Sequence, residues 1–176
     1  GAHPFNILDM SVVHNGEISS YGTNRRFLEM YGYDCAMHTD TEVLAYGVDL
    51  LMRRHGLSIE DMASVFAPPM WEQVDRMPPE RRQRVTALRQ VYSSLLMNGP
   101  FSIIVSSNDK MIGLTDRIRL RPLVAGRAGD MLYISSEEAP IHLVQDGLED
   151  TWTPSGGEPI IFELGSGIRE RELVTA

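Results

Sequence analysis

Cysteine is almost absent from this sequence: Cys35 stands alone among 176 residues. That excludes an internal disulfide and fits a reducing compartment. Long apolar runs are absent too. None approaches the ~18–20 residues that a membrane-spanning helix needs, so no membrane partner is expected. The opening residues lack the basic segment and apolar core of a secretory leader, and a cytoplasmic location is the expectation. Positive charge is scarce, with 16 Lys and Arg against 24 Asp and Glu and a net charge of −8. Neutralising phosphates needs clustered Lys and Arg, so no nucleic-acid partner is expected. The basic run Arg81-Arg82-Gln83-Arg84 follows Glu80 and reads as a solvated helix face. His3, His14, His38, His55 and His142 show no metal-ligand spacing, and no metal is expected.

What is present bounds the answer further. A length of 176 residues with 43% hydrophobic content suggests one domain with a real core. Gly1 stands where Met would, and an apolar segment follows almost at once. Such a beginning reads either as a start inside a domain or as a processed terminus.

Residues 4–13 end in a short buried strand that runs into a turn at His14-Asn15-Gly16, because Asn-Gly tolerates positive φ. Phe27, Met30 and Tyr31 at helical spacing predict a helix over 24–31, stopped by Gly32. Tyr33 to Met37 reads as an extended link carrying Cys35. Thr39-Asp40-Thr41-Glu42 matches a capping box, opening a helix with Val43, Leu44, Val48, Leu51 and Met52 on one side. Ser58 to Asp61 reads as a second box, for a helix that stops at Pro68-Pro69. The stretch from Pro68 to Pro79 reads as a long connection between helices. Pro78-Pro79-Glu80 starts another helix, with Val85, Leu88, Tyr92, Leu95 and Leu96 as its stripe, ended by Asn98-Gly99-Pro100.

Beyond Pro100 the period shortens to that of strands. Phe101–Ser106 and Lys110–Leu114 form one predicted hairpin, and Pro122–Ala125 with Met131–Ser135 another, turning at Gly126 to Asp130. A short helix lies within 136–144 and a last strand over 160–164. Residues 165–176 read as a polar tail, leaving 1–164 as the domain. Helices followed by a strand meander argue for an α+β layered domain.

Two segments carry candidate chemistry. His14-Asn15-Gly16 is either a plain turn or an oxyanion hole, in which the Asn15 amide and the Gly16 N–H converge on one developing negative oxygen. Asp40 is either an ordinary first-turn acid that complements the helix dipole or a carboxylate that binds an ammonium group. Cys35 reads as a small buried hydrophobe, since no adjacent base or helix N-terminus activates it. The scattered methionines read as core filler.

In this order, Ala2-His3-Pro4-Phe5, His14-Asn15-Gly16-Glu17-Ile18, Thr39-Asp40-Thr41-Glu42-Val43, Asn98-Gly99-Pro100-Phe101-Ser102, Asp116-Arg117 with Leu120-Arg121-Pro122-Leu123, and Tyr133-Ile134-Ser135-Ser136-Glu137 resemble one family. It is the class II glutamine amidotransferase domain of the N-terminal-nucleophile hydrolases, with the closest likeness to glutamate synthase-like glutaminase domains. The resemblance covers residues 2–164. It implies a four-layer αββα sandwich and hydrolysis of glutamine to glutamate, with ammonia passed to a synthase. In the family an N-terminal cysteine attacks the amide and its own α-amino group serves as base. The resemblance assigns the oxyanion hole to Asn15 and the Gly16 N–H, substrate ammonium binding to Asp40, and a place near the substrate pocket to His3.

The family's N-terminal cysteine and its carboxylate-gripping arginine lie upstream of the segment matched by Ala2-His3-Pro4-Phe5, and Cys35 matches neither. The sandwich is thus expected to be incomplete at its N-terminus, and this chain alone is not expected to be a competent glutaminase. The nucleophile segment belongs to a longer form of the chain, or to a separate subunit, or the domain is a silent scaffold or regulatory subunit of a synthase. Expected partners are glutamine, a synthase subunit or domain, and the nucleophile segment. The domain itself needs no cofactor, while FMN and an iron–sulfur cluster belong to a synthase partner. An amidophosphoribosyltransferase-like acceptor is the alternative. Open sheet edges and an uncovered apolar face predict an oligomer.

Overall fold

The computed structural model describes residues 3–165 and 167–168. Phe5–Ile7 (β1) and Met10–Gly16 (β2) form a hairpin. Tyr21–Met30 (α1), Asp40–Val48 (α2), Ile59–Phe66 (α3), Trp71–Asp75 (α4) and Pro79–Val91 (α5) follow. A π-helical turn, Asp49–Arg54, prolongs α2, and a 3-10 turn, Ser93–Leu95, follows α5. The remaining elements are Phe101–Ser106 (β3), Lys110–Thr115 (β4), Val124–Ala128 (β5), Met131–Ser135 (β6), Glu138–Val144 (α6), Asp150–Trp152 (β7), Ile160–Glu163 (β8) and Gly167–Ile168 (β9).

The strands form two antiparallel sheets, one six-stranded in the order β1-β2-β3-β4-β8-β9 and one three-stranded in the order β6-β5-β7. Alternation along the strands decides what each face touches. Val12, Ile103, Val105, Ile112, Leu114 and Ile161 point to the helices and share a buried core with Leu28, Val43, Leu44, Val48, Leu51 and Phe66. The next residues along, Ile104, Met111, Ile160 and Phe162, pack against Leu123, Ala125, Leu132, Ile134 and Trp152 of the second sheet and its approach. Ile141 of α6 lies over Gly126 on that sheet's far side. The molecule is therefore a four-layer αββα sandwich. Its outer helical layer, among the described residues, is the single short helix α6.

The small sheet covers the middle of the large one and leaves β2 open. Val13, which pairs with Ile104, is 42% exposed.

Several local expectations change in the structure. His14-Asn15-Gly16 is not a turn but the end of β2, paired with Ile103, Ser102 and Phe101. Chain crossing explains this: a Cβ on Gly16 would sit 2.1 Å from the Pro100 carbonyl oxygen, and one on Gly99 2.3 Å from the Glu17 oxygen. The glycines permit close approach here rather than reversal. Thr39 is the N-cap of α2 but makes no side-chain cap bond. Glu42, buried, instead accepts from the Met37 N–H at 3.0 and 3.2 Å and ties down the preceding link. That link, with Cys35, forms no strand.

Ser58 does cap α3, accepting from the Asp61 N–H at 3.1 Å, while the Asp61 carboxylate turns to Arg84. The Pro68–Pro79 connection holds α4, whose Met70 N–H donates to Gln73 at 2.8 Å. The second predicted hairpin turns later than expected, because β5 runs on to Ala128. Gly167 and Ile168 pair with Glu163 and Phe162, inside the stretch read as a tail. Residues 166 and 169–176 of that stretch lie outside the described residues, as does Ala2 of the first family segment.

The π-turn that prolongs α2 has a buried anchor. Asp49 accepts from Tyr33 Oη at 2.5 Å and from Arg53 Nη2 at 2.7 Å. Burial pushes its carboxyl up, but the bonds from Arg53 and Tyr33 outweigh that and hold it below the usual carboxylate range.

Candidate active site

β2 and β3 run antiparallel from Ser11 opposite Ser106 to Gly16 opposite Phe101. Past that point the chains stay together: Glu17 N–H donates to the Pro100 oxygen at 2.9 Å and Ser19 N–H to the Asn98 oxygen at 2.8 Å. Hydrogen bonds alternate in direction along an antiparallel strand. With Glu17 directed at β3, the Gly16 N–H points the other way, as the His14 N–H does. The His14 N–H meets His3 Nδ1 at 3.0 Å. β1 has already ended opposite Val12, so the Gly16 N–H faces the side that β1 does not reach.

Asn15 and Ser102 pair on the face turned toward the small sheet. The exposed Asn15 amide Nδ2 donates to Ser136 Oγ at 3.2 Å, just beyond the end of β6. One of its two N–H groups is thereby engaged and the other remains to be used. The 121-residue separation hid this contact from sequence reasoning. Its trace was Ser136 within the Tyr133–Glu137 segment.

Asp40 arrives from the opposite face as the first residue of α2. Its Oδ2 accepts from the Ile18 N–H at 3.2 Å, and its Oδ1 lies 3.4 Å from His14 Nδ1, with the side chain 18% exposed. His14 is almost fully enclosed, with Thr41 Oγ1 3.5 Å from the same Nδ1. Burial lowers the imidazole pKa below its ordinary 6.5, and the Asp40 carboxylate only partly opposes this. His3 is exposed, its ring centroid 6.4 Å from that of His14.

Asp116 explains why the Asp116 to Leu123 segment accompanies this site. Buried at the end of β4, its carboxylate accepts from the N–H groups of Ile118 at 3.1 Å, Leu120 at 2.8 Å and Arg121 at 3.2 Å. It also lies 3.4 Å from the N–H of Phe101, the residue opposite Gly16. An Asp bonding to a backbone N–H two residues on is a recognisable local signal.

Asn15, Gly16 and Asp40 thus meet at one end of the large sheet, with His3 alongside. Cys35 does not join them. It is buried, and burial pushes its thiol up to about 11. A thiol so protonated is no nucleophile. Clefts of about 420 Å³ on α5 and about 240 Å³ beside Asp9 and Lys110 lie elsewhere, the second at the opposite end of the same strands. Neither includes Asn15, Gly16 or Asp40 in its lining. No group of three or more His, Cys, Asp or Glu suited to a metal occurs among the described residues, and no helix there is long and apolar enough to cross a membrane.

Comparison with known proteins bears on this arrangement. No family model matches the chain. It is 57% identical over 173 residues to an uncharacterized protein of Archaeoglobus fulgidus, covering 98% of this chain and 45% of that protein. A Methanothermobacter thermautotrophicus protein provisionally named a glutamine amidotransferase is 30% identical over 167 residues, covering 93% and 45%. An amidophosphoribosyltransferase of Pyrococcus horikoshii is 28% identical, covering 89% and 28%. The chain spans less than half the length of these relatives. Among solved structures, the glutamine phosphoribosylpyrophosphate amidotransferase of B. subtilis superposes with a TM-score of 0.61 at 21% identity, covering 92% of this chain and 29% of that one. The fold is shared with that enzyme.

Proposed function

We propose that this chain, similar over most of its length to glutamine amidotransferases and sharing the N-terminal-nucleophile fold of their class II members, forms the oxyanion and ammonium half of a glutaminase site. The observation that carries the reading is the convergence of an amide donor, an outward backbone N–H and a fixed carboxylate at one sheet end. Asn15 Nδ2 and the Gly16 N–H stabilise the oxyanion that forms when a thiolate adds to the side-chain amide of glutamine. Losing one such donor typically costs ~10²–10³ in rate. Asp40, held by Ile18 and still partly exposed, takes the α-ammonium of the substrate. His3 lines the same end.

The thiol comes from outside these residues, since Cys35 is buried and protonated. Addition of that thiolate to the amide carbon, collapse with loss of ammonia, and hydrolysis of the thioester by water give glutamate. Ammonia then passes to a synthase domain or subunit in the cytoplasm. A glutamate synthase-like acceptor is one destination. The amidophosphoribosyltransferases among the relatives favour the other, a phosphoribosyl acceptor.

The test is ammonia release from L-glutamine by the protein when an N-terminal cysteine segment is present with this chain. The reading predicts activity that Asp40→Ala removes at millimolar glutamine. Unchanged glutamine affinity in Asp40→Ala would sink the assignment.

A further inference from the structure

We propose that His14 is a positioning residue, a neutral imidazole whose Nδ1–H holds the Asp40 carboxylate in the orientation that receives the substrate ammonium. This rests on the reading of Asp40 as the ammonium site. The geometry begins with enclosure. The His14 side chain is 2% exposed, its Nδ1 faces Asp40 Oδ1 at 3.4 Å and Thr41 Oγ1 at 3.5 Å, and its Nε2 is buried with no hydrogen-bond partner.

Those contacts select one protonation state. With the proton on Nε2, an N–H would be buried without an acceptor, and the bare Nδ1 lone pair would face a carboxylate. Orphaned buried N–H groups are rare in folded proteins, and under-satisfied acceptors less so. With the proton on Nδ1, the donor meets the carboxylate and only a lone pair is left unmatched. The doubly protonated form again strands the Nε2–H, and burial opposes its charge.

The neutral state matters for the site. Ile18 N–H donates to one carboxylate oxygen at 3.2 Å and His14 Nδ1 lies 3.4 Å from the other, so Asp40 is approached from two sides. Because His14 adds no charge, the carboxylate keeps its full negative charge for an incoming ammonium. A protonated His14 would compete with that ammonium. The other titratable groups bearing on His14 are His3, from the segment before β1, and Glu17, just past β2.

Two measurements on the full-length protein test this. The first is long-range proton–nitrogen NMR of ¹⁵N-labelled histidines between pH 5 and 8, with Asp40→Asn as comparison. The expected result is the Nδ1–H tautomer for His14, neutral at pH 7, with its ring signals shifting when L-glutamine binds. An Nε2–H tautomer or a cation at pH 7 overturns the positioning role, whatever glutamine does. The expected tautomer with no response to glutamine supports the clamp and counts against the ammonium reading of Asp40 instead.

The second is glutaminase kinetics against pH. His14→Leu raises the glutamine KM about tenfold with kcat within about twofold, as loss of a hydrogen bond to a charged group implies. His14→Asn, which keeps an N–H near the Nδ1 position, restores KM and removes its rise in acid. A fall in kcat with KM unchanged, or a KM rise in acid that persists in His14→Asn, overturns the proposal.

Discussion

His14 and Asn15 are consecutive in β2, yet their surroundings differ in every respect. His14 points to the helices, almost fully enclosed, and touches Asp40. Asn15 points to the other face, exposed, where Ser136, just past β6 of the small sheet, accepts from it. A strand that alternates between a covered and an open face can serve two roles with adjacent residues. Under the proposed reading, the covered side fixes the Asp40 charge for the substrate. The open side, under the same reading, offers a donor to an oxygen that exists only during reaction.

If the two faces are independent, substitutions should separate stability from chemistry. The largest effect is expected where the faces are locked together, at Gly16. An alanine Cβ there would meet the Pro100 oxygen at 2.1 Å and Phe101 Cα at 2.7 Å, both backbone atoms that cannot step aside. Gly16→Ala should lower unfolding free energy by about 1–3 kcal/mol or more and abolish activity together. A variant of native stability in urea titration would break the close-crossing account.

Asn15→Ala comes next and should act on chemistry alone. Turnover should fall ~10²–10³-fold with the thermal midpoint unchanged, since the side chain is exposed. A large loss of stability with modest loss of rate would mean that Asn15 is structural.

The smallest effect belongs to the covered face. Unfolding frees His14 to take up a proton near pH 6.5, whereas burial holds the folded value lower. Stability is therefore full above pH 6.5 and declines as pH falls below it. Asp49, also lowered, withdraws its contribution only below its ordinary 3.8, so the two windows do not overlap. Thermal unfolding from pH 7.5 to 5 should show a small decline that His14→Asn reduces. No change in slope in that variant would detach His14 from the effect.

Much of this was legible in the sequence, and the misses have physical reasons. The predicted bounds of β3 and β6, Phe101–Ser106 and Met131–Ser135, agree with the structure, because each is a short, mostly apolar run closed by a serine. α4 and β7 escaped notice because five and three residues are too few to show a period. Asn15-Gly16 has the composition of a turn, but the tertiary crossing with Pro100 and Phe101 overrides local preference and keeps it extended. The Thr39–Glu42 pattern has a capping-box spacing, but Met37 offered Glu42 a better partner. For the proposed site, Asn15, Gly16 and Asp40 were singled out by the resemblance of their segments to a known family, and the structure brings them to one end of the large sheet. The contacts of Asn15 with Ser136 and of Asp40 with His14 were not. They join residues 121 and 26 positions apart, and only the folded register brings them together.

The central claim is that Asp40 recognises the ammonium group of glutamine. The direct measurement is the affinity of the full-length protein for L-glutamine and for glutaramate, the same molecule without its α-amino group, in wild type and Asp40→Asn. The account predicts that wild type prefers glutamine by about tenfold or more and that Asp40→Asn binds the two alike. A preference for glutamine that survives in Asp40→Asn would contradict it.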